Sequence, residues 1–219
     1  EAGFTRISLG MQSSAASVLA TLDREHTAGR APQAAREAFA AGFSEVSLDL
    51  IYGTPGETDD QWQQSLHDAL AAEPTHVSAY SLIVEQGTKM ARLVKSGVLE
   101  PTDDDVLARR YEWADEAFRQ AGLTWYEVSN WARGGPNGFS MCRHNLGYWR
   151  NHDWLGIGAG AHSHVAGLRW WNHKHPARCS AQVMAGELPV ADFERLTSSE
   201  QAVEEVMLRL RLAEGLPVD

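Results

Sequence analysis

The nine residues EVSLDLIYG, at 45–53, constrain the fold of this chain more than any other stretch. They are rich in aliphatic side chains, as the buried strands of parallel sheets are. The segments around them alternate strand and helix. FTRISLG (4–10) reads as a strand, SSAASVLATL (13–22) as a short helix and APQAAREAFAAGF (31–43) as a second. The second helix has Pro32 in its first turn and Gly42 past its end, the usual punctuation. After the turn GTPGE, Thr58 and Gln61 form a capping box that opens the helix DDQWQQSLHDALAA (59–72). THVSAYSLIV (75–84) is a third strand, helices follow at 88–96 and 103–121, and LTWYEVSNWA (123–132) is a fourth strand. Such a β-α rhythm implies an α/β fold: a parallel sheet with right-handed crossovers.

Beyond Trp131 the rhythm stops. Residues 133–180 are rich in Gly, Asn, His and Trp and show no clear period. A loop region of that length within a compact protein is usually functional. Thr197 and Glu200 then make a second capping box, and Ala202, Val203, Val206, Met207 and Leu210 fall on one helical stripe. We therefore expect three regions: a partial (β/α) barrel over 1–132, an extension over 133–196, and the start of a C-terminal helical module over 197–219. The chain starts at Glu1 and enters a strand almost at once, which reads as a cut through a larger protein.

Composition excludes several classes of function. The net charge is -10 and no Lys/Arg cluster is present, so a nucleic-acid groove is not expected. No apolar run approaches the ~20 residues of a membrane span and no signal peptide is evident, although peripheral contact with a membrane stays compatible with the sequence. The two cysteines, Cys142 and Cys179, are far apart, which argues against a disulfide framework and for a reducing, cytoplasmic setting.

Strand parity points to a site. In RISLGMQ, Ile7, Leu9 and Met11 share one face, and Arg6, Ser8, Gly10 and Gln12 the other. In EVSLDLIYG, Val46, Leu48 and Leu50 share a face, which leaves Ser47, Asp49 and Ile51 opposite. Asp49 is thus a carboxylate inside an apolar strand, and leaving it unpaired there would cost several kcal/mol. In a β/α barrel, polar groups toward the C-terminal strand ends point into the mouth where ligands bind. Gln12, Asp49, Tyr80, Glu85 and Glu127 all have that position. A structural polar network inside the barrel is the alternative for each of them taken singly; the set as a whole favours function.

RISLGMQS, SLDLIYGTPGET, VSAYSLIVEQGT, YEVSNWAR and CRHNLGYWRNHDWLGIGAGAHS occur in that order. Together they resemble the radical S-adenosylmethionine proteins related to oxygen-independent coproporphyrinogen III oxidase, and within them the HemW, or haem-chaperone, branch. The most specific element is His144-Asn145-x-x-Tyr148-Trp149, a signature of that branch that the oxidase proper lacks. The resemblance covers nearly the whole chain. It implies part of an open (β/α) barrel, with a four-iron four-sulfur (4Fe-4S) cluster and S-adenosylmethionine as cofactors. By the same resemblance, Gln12 contacts S-adenosylmethionine, Arg24 lies near its carboxylate, Asp49 reaches its polar groups and Ile83 lines its adenine pocket. The chain departs from the family in one respect. The family holds its cluster with three cysteines in C-x-x-x-C-x-x-C, and no such spacing occurs here, so this chain is expected to lack the cluster.

Three readings of residues 142–164 stand side by side. In the first, His144 ligates haem iron, Tyr148 and Trp149, with Trp170 and Trp171, stack on the macrocycle, and Arg143, Arg150 and Arg169 pair with propionates. In the second, Cys142, His144, His162 and His164 bind zinc, at spacings that match no recognised finger. In the third, these side chains satisfy buried backbone groups within a long loop. The branch signature favours haem contact for His144, and the structural reading is preferred for His162 and His164. The function implied is haem trafficking, with haem or a porphyrin as partner and an unidentified protein as recipient. The alternatives are radical oxidative decarboxylation of porphyrinogen propionates and, more distantly, a metal-dependent barrel hydrolase or lyase using Asp49, Glu85 and Glu127.

Overall fold

The computed structural model describes residues 3–134 and 140–217 and divides into two compact units, 1–141 and 142–219. Residues 1–2 of the expected barrel, 135–139 of the expected extension and 218–219 of the expected C-terminal module lie outside the described residues.

The first unit is built on β1 (Arg6–Gln12), β2 (Glu45–Tyr52) and β3 (His76–Ser81), which pair in parallel. Between them come α1 (Ala16–Thr21), α2 (Arg30–Ala40) and α3 (Asp59–Leu70). The side chain of Thr58 accepts from the Gln61 amide and the Gln61 side chain accepts from the Thr58 amide, so the capping box read from the sequence is formed. After β3 come α4 (Lys89–Lys95) and α5 (Asp104–Gln120).

The segment 123–132 departs from expectation. It forms two strands, β4 (Leu123–Glu127) and β5 (Asn130–Arg133), joined by a tight turn in which Ser129 has a φ of 74°. β5 runs antiparallel to both β3 and β4, giving the order β1-β2-β3-β5-β4. β4 therefore points the same way as the parallel strands, but β5 is wedged between them. A run of strand-forming residues without Gly or Pro hid the reversal.

Val46, Leu48, Leu50, Val77 and Ala79 are fully buried on one face of this sheet, against α2, α3 and α5. Trp62 of α3 packs on Tyr52 with ring centroids 5.2 Å apart. Trp131 of β5 packs on Phe118 of α5 at 5.0 Å and donates from Nε1 to Asp115 at 2.8 Å. The turn after β2 is clamped by a buried ion pair. Arg110 of α5 donates to Glu57 Oε2 at 2.8 Å and to the Glu57 carbonyl at 2.7 Å, while Gly53 N–H donates to the same Oε2 at 2.8 Å.

The second unit, as far as residue 180, is where the chain had shown no period. It contains α6 (Arg143–Trp149), β6 (His162–Val165), β7 (Leu168–Asn172), α7 (Pro176–Met184), β8 (Val190–Arg195) and α8 (Ser198–Arg209). The three strands form an antiparallel sheet in chain order. The β6–β7 turn places Ala166 and Gly167 at φ values of 49° and 74°, and positive φ at both central residues marks a type I′ hairpin. Thr197 and Glu200 form the second capping box. Val203, Val206, Met207 and Leu210 of the expected stripe are exposed. Among the described residues no helix is long and apolar enough to cross a membrane.

Candidate functional site

Parity placed Asp49 opposite the helix-packing face, and the register carries that reading across the sheet. Gly10, Asp49 and Ser78 are consecutive partners, Ser78 pairs with Asn130, and Asn130 with Glu127. One row thus crosses all five strands on the face away from the helices, polar on every strand but β1, where Gly10 stands. Ser8 donates to Asp49 Oδ2 at 2.7 Å and Ser47 lies 3.3 Å from Oδ1, so the half-buried carboxylate is held by hydroxyls of two strands. Ser47 also meets His76 Nδ1 at 2.8 Å, and His76 Nε2 meets the Tyr126 hydroxyl at 2.8 Å. Ser78 donates to Asn130 Oδ1 at 2.7 Å, and Asn130 donates to Glu127. Burial holds His76 far below its ordinary pKa, at about 3, with a smaller contribution from the positive charge of Arg6.

Gln12 ends β1 at a register irregularity and has a φ of 61°. A non-glycine residue held there stores local strain, a condition that gathers at ligand sites. Its side chain folds back over Gly10: a β carbon on Gly10 would lie 2.5 Å from Gln12 Nε2. Since Gly10 is the register partner of Asp49, the fold brings Gln12 and Asp49 to one place. Arg24 is exposed in the turn after α1, and Ile83 is exposed beyond the end of β3; among the described residues no side-chain hydrogen bond or ion pair joins Arg24 to Asp49 or Gln12. Tyr80 and Glu85 are also exposed near the end of β3, whereas Glu127 is buried at the end of β4. His76 and Tyr126 were missed by the sequence reading, and Ser47 was placed on the Asp49 face without a role. The pairing of Ser47 with His76 could have been found only by aligning β2 with β3.

In the second unit, His144 is exposed on α6, and Tyr148, one turn on, sets its ring edge-on to the imidazole at 4.7 Å. The aromatic series continues through Trp154, 5.0 Å from Tyr148, to buried His164, 4.9 Å from Trp154. Trp149 does not join it; its ring lies under the Arg211 guanidinium, 5.8 Å from the ring centre. Trp171 stacks on His162 at 5.7 Å, and Trp170 lines a separate apolar cavity of about 600 Å³ with Ile157, Val183 and Leu188.

The arginines expected to pair with propionates are differently placed. Arg150 makes a two-pronged ion pair with Glu214, at 2.9 and 2.6 Å, and Glu214 is held below its usual pKa chiefly by that contact. Arg169 is engaged by Glu204 and, at 3.5 Å, by Glu194. Of the three, exposed Arg143 beside His144 has the placement for an anion. Among the described residues no three His, Cys, Asp or Glu side chains are grouped to hold a metal, so Cys142, His144, His162 and His164 do not form the zinc centre weighed above. The same holds for an iron–sulfur cluster, whose cysteine set the chain does not contain. For S-adenosylmethionine and haem the residues fit in part: a positioned carboxylate beside an amide in one unit, an exposed imidazole with an aromatic neighbour in the other.

No family model matches the chain. Among curated proteins, the heme chaperone HemW of Mycobacterium tuberculosis strain H37Rv is 55% identical over 218 residues, which is 99% of this chain and 55% of the relative. The heme chaperone HemW of Bacillus subtilis strain 168 is 34% identical over 217 residues, 99% of this chain and 56% of the relative. Among solved structures, the radical SAM enzyme coproporphyrinogen III oxidase, HemN, of Escherichia coli matches 96% of this chain and 50% of its own, with a TM-score of 0.78. At 20% identity that likeness is one of fold. The chain spans about half the length of the curated relatives it matches. Over nearly its whole length this chain is homologous to part of the heme chaperones named HemW, and it shares the fold of the radical SAM enzyme HemN.

Proposed function

We propose that this chain is part of a haem chaperone that takes up haem and passes it to a recipient protein in the cytoplasm. The observation that carries the reading is the His144-Asn145-x-x-Tyr148-Trp149 motif, with His144 exposed on α6 and Tyr148 against its edge, in a chain whose HemW relatives match it nearly end to end. An exposed imidazole suits an axial ligand, because the nitrogen must reach iron without first breaking a buried contact. Arg143, exposed beside it, is placed to meet a propionate. Trp149, covered by Arg211, serves the ring only if that guanidinium moves aside or stacks along with it.

The first unit has a different task in this reading. Asp49 and Gln12 contribute acceptor and donor groups toward the polar parts of S-adenosylmethionine, with Arg24 and Ile83 reaching the ligand from the flanking loops. A 4Fe-4S cluster, when bound, would supply the open iron that receives the cofactor's amino and carboxylate groups; its ligands are not among the residues of this chain.

The test is a haem titration of a protein of the relatives' full length that carries this chain. It should bind haem with an absorption spectrum typical of imidazole coordination, and His144→Ala should change that spectrum. Trp149→Ala should weaken binding and leave the coordination signature in place. An unchanged spectrum and affinity in His144→Ala would remove the ligand assignment and return α6 to a structural role.

A further inference from the structure

The polar row of the first unit contains a buried histidine that the proposed function leaves unused. His76 is 2% exposed and Ser47 3% exposed, and both lie on the Asp49 face. We infer that His76 is a positioning residue for the Asp49 carboxylate: it is present as the Nδ1–H tautomer, donates to Ser47, and so commits the Ser47 hydroxyl hydrogen to Asp49. The inference rests on the reading of Asp49 as a ligand-facing carboxylate only for its effect on binding; the tautomer itself follows from the contacts.

Two arrangements of hydrogens are open to the neutral ring, and one of them satisfies all four of these contacts. An ionised carboxylate is acceptor-only, and a serine hydroxyl has a single hydrogen to give. Ser47 Oγ faces two candidate acceptors, Asp49 Oδ1 at 3.3 Å and His76 Nδ1 at 2.8 Å. If Nδ1 were bare, the nearer nitrogen would take the hydroxyl hydrogen. Asp49 Oδ1 and Ser47 Oγ would then face each other through lone pairs alone. If Nδ1 has the hydrogen, every contact is satisfied in one direction. Tyr126 O–H donates to Nε2, Nδ1–H donates to Ser47 Oγ, and Ser47 O–H donates to Asp49 Oδ1, while Ser8 O–H donates to Oδ2. A doubly protonated ring is excluded by burial, which keeps His76 neutral. The chain of donors starts on β4, crosses to β3 and β2, and ends on the half-buried carboxylate. Both Asp49 oxygens are thereby fixed, and the lone pairs left over are aimed by the buried imidazole.

The tautomer is read in this 219-residue chain by nitrogen-15 NMR of the imidazole rings at neutral pH, with the His76 signals assigned through their loss in His76→Asn. A protonated Nδ1 and an unprotonated Nε2 are expected; a protonated Nε2 overturns the inference. Binding of S-adenosylmethionine is then measured in a protein of the relatives' full length, with folding of each variant checked by circular dichroism. In His76→Asn the amide nitrogen can stand where Nδ1 stood, so affinity should stay within about threefold of the parent. In His76→Gln the amide lies near Nε2 and the donor to Ser47 is gone, so affinity should fall about threefold to tenfold relative to the Asn variant. Equal losses in the two variants would overturn the positioning role. Asp49→Ala separates the two ideas: unchanged binding there would remove the ligand reading, while the ligand-free NMR result would still decide the tautomer.

Discussion

At the level of single residues, the carboxylate of Asp49 and the imidazole of His76 set the character of the first unit. Ser8 and Ser47 fix Asp49 without neutralising it, so its charge remains directed away from the helix-packing face. In a protein of the relatives' full length, Asp49→Ala should weaken S-adenosylmethionine binding by about 1–3 kcal/mol, the range for losing a hydrogen bond to a charged group. Isothermal calorimetry would check it, and an unchanged dissociation constant in a folded variant would take Asp49 out of the site. His76 makes a separate prediction about acid. Its folded pKa is about 3, against an ordinary value of 6.5, so the unfolded chain accepts a proton that the folded chain refuses. The resulting stability is present above pH 6.5 and is lost as the pH falls toward 3. Between pH 7 and pH 5 this group alone should cost about 2 kcal/mol. Urea unfolding of the parent and of His76→Asn at both values tests this. The parent should lose more stability than the variant, and parallel losses would show that His76 is not held neutral by burial.

At the level of elements, the turn after β2 and the β4–β5 hairpin show opposite degrees of legibility. The GTPGE turn, the Thr58 cap and the helix behind it were readable because each uses a local signal, a Gly-Pro cluster or a residue three positions on. The partner that clamps this turn was not readable. Arg110 is 53 residues from Glu57, and nothing near it marks it as buried. The hairpin was hidden for a different reason: its reversal rests on Ser129 at positive φ, where Gly or Asn would have announced it. Burial pushes Glu57 above the usual carboxylate range against the pull of Gly53 N–H and Arg110, so this clamp is sensitive to loss of either partner. Arg110→Met should destabilise the chain by about 3–5 kcal/mol, because it leaves a buried carboxylate uncompensated. Combining it with Glu57→Gln should recover part of that loss. Denaturant unfolding measures both variants, and a cost below about 1 kcal/mol for Arg110→Met would mean that the pair holds little.

At the level of the whole chain, the two units differ in how much of their apolar surface is put away. The first unit buries Trp62, Trp131, Phe118, Leu48, Leu50 and their neighbours. In the second, the buried hydrophobic side chains among the described residues are Leu146, Cys179 and Leu212. The second unit leaves Leu155, Ile157, Met184 and Leu188 exposed, with the apolar stripe of α8. This contrast also explains why the strands of the first unit were legible in the sequence and those of the second were not. Strong 2.0 and 3.6 periods come from elements with one face in a large core, and strands such as β8, nearly all exposed, have no reason to alternate. His144 and Tyr148 could be found there only through the motif that holds them. The thermodynamic consequence is a difference in opening free energy. A small unit with little buried apolar area opens at a lower cost than the global transition, so its amides exchange first. Hydrogen exchange followed by mass spectrometry should find the slowest amides in β2 and β3, around Leu48, Leu50 and Val77. Amides of β7, Leu168–Asn172, should exchange at least about thirtyfold faster once corrected for intrinsic rates, a gap of about 2 kcal/mol. Equal protection of β7 and β2 would mean that the second unit draws its stability from a source other than its own core. Faster exchange in β2 than in β7 would reverse the order inferred from burial.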